Sequence, residues 1–159
     1  MGDGKTGSAE ERRYAEAARA MRRFLGTSGG DRPLVHIIGP VRHAARFNKA
    51  FLSIIDRLDV TGFLLIVDDQ HVVHASRRHG HARTEMQRGQ LPVEHDDYVR
   101  LPRILGDPDT VGPGTTGRRG GPALVVTKAI DGARYRVIVE ARVARQQLAF
   151  VSMFKSRAG

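Results

Sequence analysis

Residues 71–81 read His-Val-Val-His-Ala-Ser-Arg-Arg-His-Gly-His, so four of the chain's seven histidines and two arginines fall within eleven positions. Histidine is the side chain that changes charge near neutral pH, and arginine is a permanently charged fork that grips phosphate. Together they offer two chemistries: acid–base work on a phosphate ester, or a metal site.

For a metal, His71 with His74 or His79 with His81 could share an ion with Glu85 or His95. No His-Glu-x-x-His is present, and the chain has no cysteine to supply thiolates. For metal-free RNA cleavage, one group must take the 2′-hydroxyl proton and another must protonate the leaving oxygen. Cations must also meet the charge that builds on phosphorus. Histidine can fill either proton-transfer role, and arginine or lysine the third.

The elements that must position these groups follow from spacing. Residues 1–7 are glycine-rich and are expected to be mobile. Ser8 with Glu11 is a capping-box pattern, and Tyr14, Ala18, Met21 and Leu25 recur at helical spacing up to Gly26. Leu34 to Ile38 reads as a strand. Pro40 then opens a helix whose apolar stripe (Val41, Ala44, Phe47, Phe51, Ile54, Ile55, Leu58) runs through residue 58. Leu64 to Val67 is a second strand, and Asp68-Asp69 suits the positive end of a helix over 70–79 that Gly80 ends. On that helix His71, His74 and Arg78 share a face.

Residues 81–91 read as loop, residues 92–101 hold a short helix that Pro102 breaks or kinks, and residues 112–122 read as a flexible glycine-rich loop. That loop lacks the Gly-Lys-Ser/Thr of a nucleotide-phosphate cradle. The end is β: strands over 123–130, 135–143 and 148–155, the first two joined at Asp131-Gly132. In the middle strand Tyr135, Val137, Val139 and Ala141 alternate with Arg134, Arg136, Ile138, Glu140 and Arg142, one face for a core and one charged. Helices followed by an antiparallel meander indicate an α+β fold. We expect residues 1–32 to be a mobile start with a leading amphipathic helix, and residues 33–159 to form the α+β domain.

Net charge is +9, and its placement is uneven. Residues 118–159 hold 9 Lys/Arg against 2 Asp/Glu, while residues 1–117 hold 17 against 15. A local field of one sign attracts polyanions. No apolar run approaches the roughly 18–20 residues needed to span a bilayer, and no secretory signal is visible at the start, so a soluble protein without membrane contact is expected. No motif calls for a cofactor.

The order Asp69-Gln70-His71-Val72-Val73-His74-Ala75-Ser76-Arg77-Arg78-His79, then Asp97-Tyr98-Val99-Arg100-Leu101-Pro102-Arg103-Ile104-Leu105-Gly106-Asp107-Pro108-Asp109, then three strands ending Phe150-Val151-Ser152-Met153, resembles one group. It is similar to the phage-associated members of the barnase–EndoU–colicin E5/D–RelE nuclease superfamily, over roughly residues 63–155. Such domains stand at the C-termini of phage minor head proteins and in polymorphic toxins. The resemblance implies N-terminal helices before a four-stranded antiparallel sheet, and RNA, tRNA included, as substrate.

By position it implies catalytic roles for His79, His74, Lys128 and Ser152, with His81 open as an alternative to His79. Arg77, Arg78, Arg136, Arg142 and Lys155 are the expected substrate-binding cations. The expected activity is metal-independent endoribonuclease cleavage leaving 2′,3′-cyclic phosphate. The alternative is a non-catalytic RNA-binding or virion-associated module of the same fold. An acidic inhibitor protein is the expected partner, and the site of action a bacterial cytoplasm, reached by secretion or in a virion from within a longer phage or toxin polypeptide.

Overall fold

In the computed structural model, which describes residues 3–27, 33–55, 57–87, 89–114 and 121–158, alternation in the C-terminal strands becomes the core. Strands β1 (Val35–Pro40), β2 (Leu64–Asp68), β3 (Thr110–Pro113), β4 (Ala123–Ile130), β5 (Ala133–Arg142) and β6 (Gln147–Arg157) form one six-stranded sheet in the order β1-β2-β6-β5-β4-β3. Every neighbouring pair is antiparallel except β2 with β6, which run parallel from Leu64 opposite Gln147. The fold is α+β.

Helices α1 (Asp3–Thr27), α2 (Ala44–Phe51), α3 (Asp69–His79), α4 (Ala82–Gln87), α5 (His95–Tyr98) and α6 (Leu101–Gly106), with a short 3-10 helix at Val143–Arg145 between β5 and β6, complete the described elements. Leu124, Val126, Tyr135, Val137, Val139, Leu148, Phe150 and Met153 point to one side and are buried with Met21 of α1, Phe47 and Phe51 of α2, Val72 and Ala75 of α3, and Leu101 and Ile104 of α6. This is the helix-covered face. Val151 has no partner where β6 bulges between Ser152, opposite Ile138, and Phe150, opposite Val139. The bulge keeps Phe150 and Met153 both on the core side.

Several sequence expectations are corrected. Helix α1 begins at Asp3, so Ser8 lies inside it rather than at its cap. Helix α2 stops at Phe51 although the apolar stripe continues. The Asn48 side chain draws the chain back, accepting from Val60 N at 2.8 Å and donating to Asp59 at 2.9 Å, and Arg57 takes a left-handed φ of 62°. Ile54 and Ile55 are left exposed.

Residues 82–87 are helical instead of loop, with Glu85 buried. Residues 110–113 are an edge strand, which takes in Gly112 and Pro113 of the loop expected over 112–122; positions 115–120 of that loop lie outside the described residues. Pro113, at its last position, suits an edge that needs no further donor. The sheet has six strands where the resemblance implied four, because β1 and β2 join it through β6.

Candidate functional site

Helix α3 forms where the sequence requires it. Asp68 caps it, its carboxylate accepting from Gln70 N at 2.8 Å, and the chain leaves the helix at Gly80. A Cβ at residue 80 would run into the Ser76 carbonyl and come within 3.3 Å of Val93 O. The missing side chain therefore lets the helix end lie against the segment before α5. Two residues earlier in that segment, Leu91 N donates to Lys155 O at 2.8 Å, the isolated bridge that ties it to β6. The backbone of His79-Gly80-His81 is thus held one short segment away from Lys155.

Around α3, Val72 and Ala75 are buried, and Ser76 donates to the Tyr98 hydroxyl at 3.0 Å. His74 and Arg77 are exposed on the other side, and His81 is exposed beyond the end. His79 closes the helix, seven residues after Val72 and five after His74. Five residues turn an α-helix through about 500°, so positions 74 and 79 stand about 140° apart around the axis. Arg78, Arg77 and His79 are consecutive on its last turn; the side chains of Arg78 and His79 lie outside the described part of the structure.

The expected sheet residues separate onto two faces. Directly opposed residues in antiparallel strands share a face. Lys128, Tyr135 and Lys155 are opposed across β4, β5 and β6 on the helix-covered face, while Thr127, Arg136 and Phe154 form the next row on the other face. Ser152, Ile138 and Val125 follow on that open face, with Arg142 near its far end. Arg136 is exposed, its guanidinium 5.5 Å from the centre of the Phe154 ring. Lys128 is occupied: it donates to Asp107 O at 2.7 Å and pairs with the Asp107 and Asp109 carboxylates at 3.3 and 3.5 Å. Ala129 N donates to Asp109 at 2.8 Å, and this bond, aided by Lys128, holds the Asp109 carboxyl below its usual range.

The residue that organises the helix-covered end was not among the expected ones. Asp97, in the sequence His95-Asp96-Asp97-Tyr98, is buried, whereas His95, two residues before it, is exposed. One Asp97 oxygen accepts from the Tyr135 hydroxyl at 2.7 Å and from Arg100 at 3.0 Å. The other accepts from Lys155 at 3.2 Å and from Glu94 N at 2.7 Å. Arg100 also donates to the Tyr135 hydroxyl at 3.2 Å. Burial, and then the carboxylate it donates to, push the Tyr135 hydroxyl well above its ordinary pKa, so it stays a protonated donor. One carboxylate thereby fixes two cations. The signal available in sequence was weak: a capping-box acid at N3 is common, and its partners lie 38 and 58 residues away.

A protein-family model described as phage-Barnase-EndoU-ColicinE5/D-RelE like nuclease3 matches residues 42–159. The chain belongs to this nuclease family. The match spans α2 to β6, including the histidine helix, the Asp97 cluster and both faces of the sheet. Helix α1 and strand β1 of the nuclease precede it, yet both are built into the fold, α1 through Met21, Phe24 and Leu25 in the core and β1 through its pairing with β2. No curated protein matches the nuclease, and no solved structure does. Among its described residues no three His, Cys, Asp or Glu stand together as metal ligands would, and no helix is long and apolar enough to cross a membrane.

Proposed function

We propose that this nuclease is a metal-independent endoribonuclease whose acid–base groups stand at the C-terminal end of α3. The observation that carries the reading is the seating of Gly80 against Val93, next to the Leu91–Lys155 bridge. It brings the backbone of two histidines to within one short segment of a strand that carries a fixed cation. His79 and His81 flank the helix end and are the acid–base pair. His74, about 140° round the helix from His79, is a flanking group that acts on the substrate from the exposed side with Arg77.

In the reaction one imidazole takes the 2′-hydroxyl proton as that oxygen attacks phosphorus. The P–O5′ bond breaks, and the imidazolium of the partner protonates the departing oxygen, leaving a 2′,3′-cyclic phosphate. Lys155, whose ammonium has three donors of which one is taken by Asp97, faces the charge that builds on the phosphoryl oxygens. Arg136 and Arg142, on the open face, hold more distant phosphates of the strand, as the +7 of residues 118–159 would favour.

The test is incubation with tRNA and ribosomal RNA, with and without EDTA, and mapping of the product ends. Cleavage unaffected by chelator and ending in cyclic phosphate is expected. The double variant His79→Ala, His81→Ala is expected to lose at least about a hundredfold in rate, and His74→Ala far less. Full cleavage by the double variant would refute the mechanism. Salt-dependent RNA binding without turnover by the unmodified protein would favour a non-catalytic RNA-binding module instead.

A further inference from the structure

Arg100 sits between two adjoining hollows. One, of about 380 Å³, is lined by Leu91, Asp131, Tyr135, Lys155 and Arg157 together with Arg100. The other, of about 300 Å³, lies against α1 and is lined by Glu11, Tyr14 and Arg103, again with Arg100 and Asp131. The shared residues make them two parts of one groove at the β4–β5 turn. Four cations border it, against two acids.

The acids are loosely held. Asp131 is 3.8 Å from Arg100 and Glu11 is 3.3 Å from Arg103, with the two carboxylate side chains 82% and 72% exposed. Ion pairs of that kind are weak and are readily exchanged for another anion. Arg100 and Lys155 are different, because buried Asp97 holds one with each of its oxygens. Arg100 spends Nη1 on Asp97 and Tyr135 and turns Nη2 toward Asp131. Two positive groups are therefore set in place beforehand on one wall of a hollow, with an exchangeable carboxylate standing where an anion would bind.

We propose that this groove is a phosphate subsite for a single polynucleotide strand. Arg100, with a further donor of the Lys155 ammonium, holds the phosphate next to the scissile one; that phosphate displaces Asp131, and the strand continues past Arg103 along α1. The proposal rests on the polynucleotide reading above and deepens it. It also gives α1, which precedes the family-matched residues, a part in binding.

Single-stranded oligodeoxynucleotides of two and eight nucleotides test it, with binding followed by fluorescence anisotropy across a salt series. DNA lacks the 2′-hydroxyl, so this measurement is independent of cleavage. Asp131→Asn keeps a residue suited to the left-handed turn (φ 51°) and is expected to tighten binding of both lengths about twofold. Arg100→Lys, which keeps the charge but loses the fork, is expected to weaken both several-fold. Lys155→Ala should lower the slope of log affinity against log salt by about 0.7. Arg103→Ala is expected to weaken the eight-mer alone.

Unchanged affinities in both Asp131→Asn and Arg100→Lys, with unaltered thermal midpoints, would overturn the subsite, as would the absence of salt-dependent binding. Failure of RNA cleavage with these effects intact would overturn the catalytic reading and leave the subsite standing. An active ribonuclease indifferent to Arg100 and Asp131 would do the reverse.

Discussion

Tyr135 and Arg136 are neighbours on β5, and they face two different environments. The Tyr135 side is covered by helices, and there Lys155, Arg100 and the phenol are all tied to one buried carboxylate. On the Arg136 side the guanidinium lies exposed over Phe154, on a face whose described residues are mostly half-buried or open. Both sides are basic in sequence. The cations of the first are held by a buried carboxylate, whereas Arg136 on the second lies exposed over a ring that carries no charge. A fixed cation can select one phosphate geometry, whereas an adaptable one contributes attraction to any polyanion. Charge count alone does not separate these roles. The partners do.

The contrast is most directly broken at Asp97. Asp97→Ala would leave Arg100 and Lys155 without their shared carboxylate and Tyr135 without its acceptor. A loss of about 3 kcal/mol is expected in urea unfolding, the low end for a broken buried pair because both cations reach solvent. A loss below about 1 kcal/mol would mean that the covered face is no more organised than the open one.

Tyr135→Phe sharpens the same point through pH. In the folded protein the phenol is held above its ordinary pKa, so it stays protonated while that of the unfolded chain ionises near pH 10. Above that pH the unfolded state binds fewer protons, so the stability due to Tyr135 is fully present below about pH 10 and is lost as pH rises toward the folded value. The Phe variant is expected to be about 1–2 kcal/mol less stable at pH 7 for want of the buried hydrogen bond. Its stability should then fall less steeply than the parent's in alkaline solution, and equal slopes would count against the Asp97 bond. Arg136→Ala gives the smallest change: within about 0.5 kcal/mol in stability, as for an exposed residue. Its mark is a shallower salt dependence of RNA binding, and a large drop in melting temperature would show that the open face is structural.

What could be read from the chain was what local pattern controls. The α+β class, the Asp131-Gly132 hairpin, the alternation in β5 up to Val139 and the helix ending at Gly80 all follow from neighbours within a few residues. The misread parts depend on distant partners. Helix α2 stops because Asn48 bonds with Asp59 and Val60, and Thr110 to Pro113 become a strand because β4 offers an edge. For the site, the histidine stretch and Lys155 were visible as residue types. Asp97 was not, since an acid at a helix start looks the same whether it meets water or meets Tyr135 and Lys155. Nor did sequence distance reveal that Lys128 would be engaged by Asp107 and Asp109 while Ser152 faced the opposite side of the sheet.

The parallel pairing of β2 with β6 has a consequence for the order in which the molecule assembles. β6 comes after every other strand in the chain, yet it lies inside the sheet, between β2 and β5. Until it is made, β1–β2 and β3–β5 are two separate ribbons with no edge in common. Lys155, and with it the second anchor of Asp97, arrives only with that strand. During synthesis the earlier residues can form hairpins and helices but not the joined sheet, and closing a contact as distant as Leu64 with Gln147 is intrinsically slow. A growing chain would therefore carry its histidine helix for some time before the strand that bears Lys155 is in place.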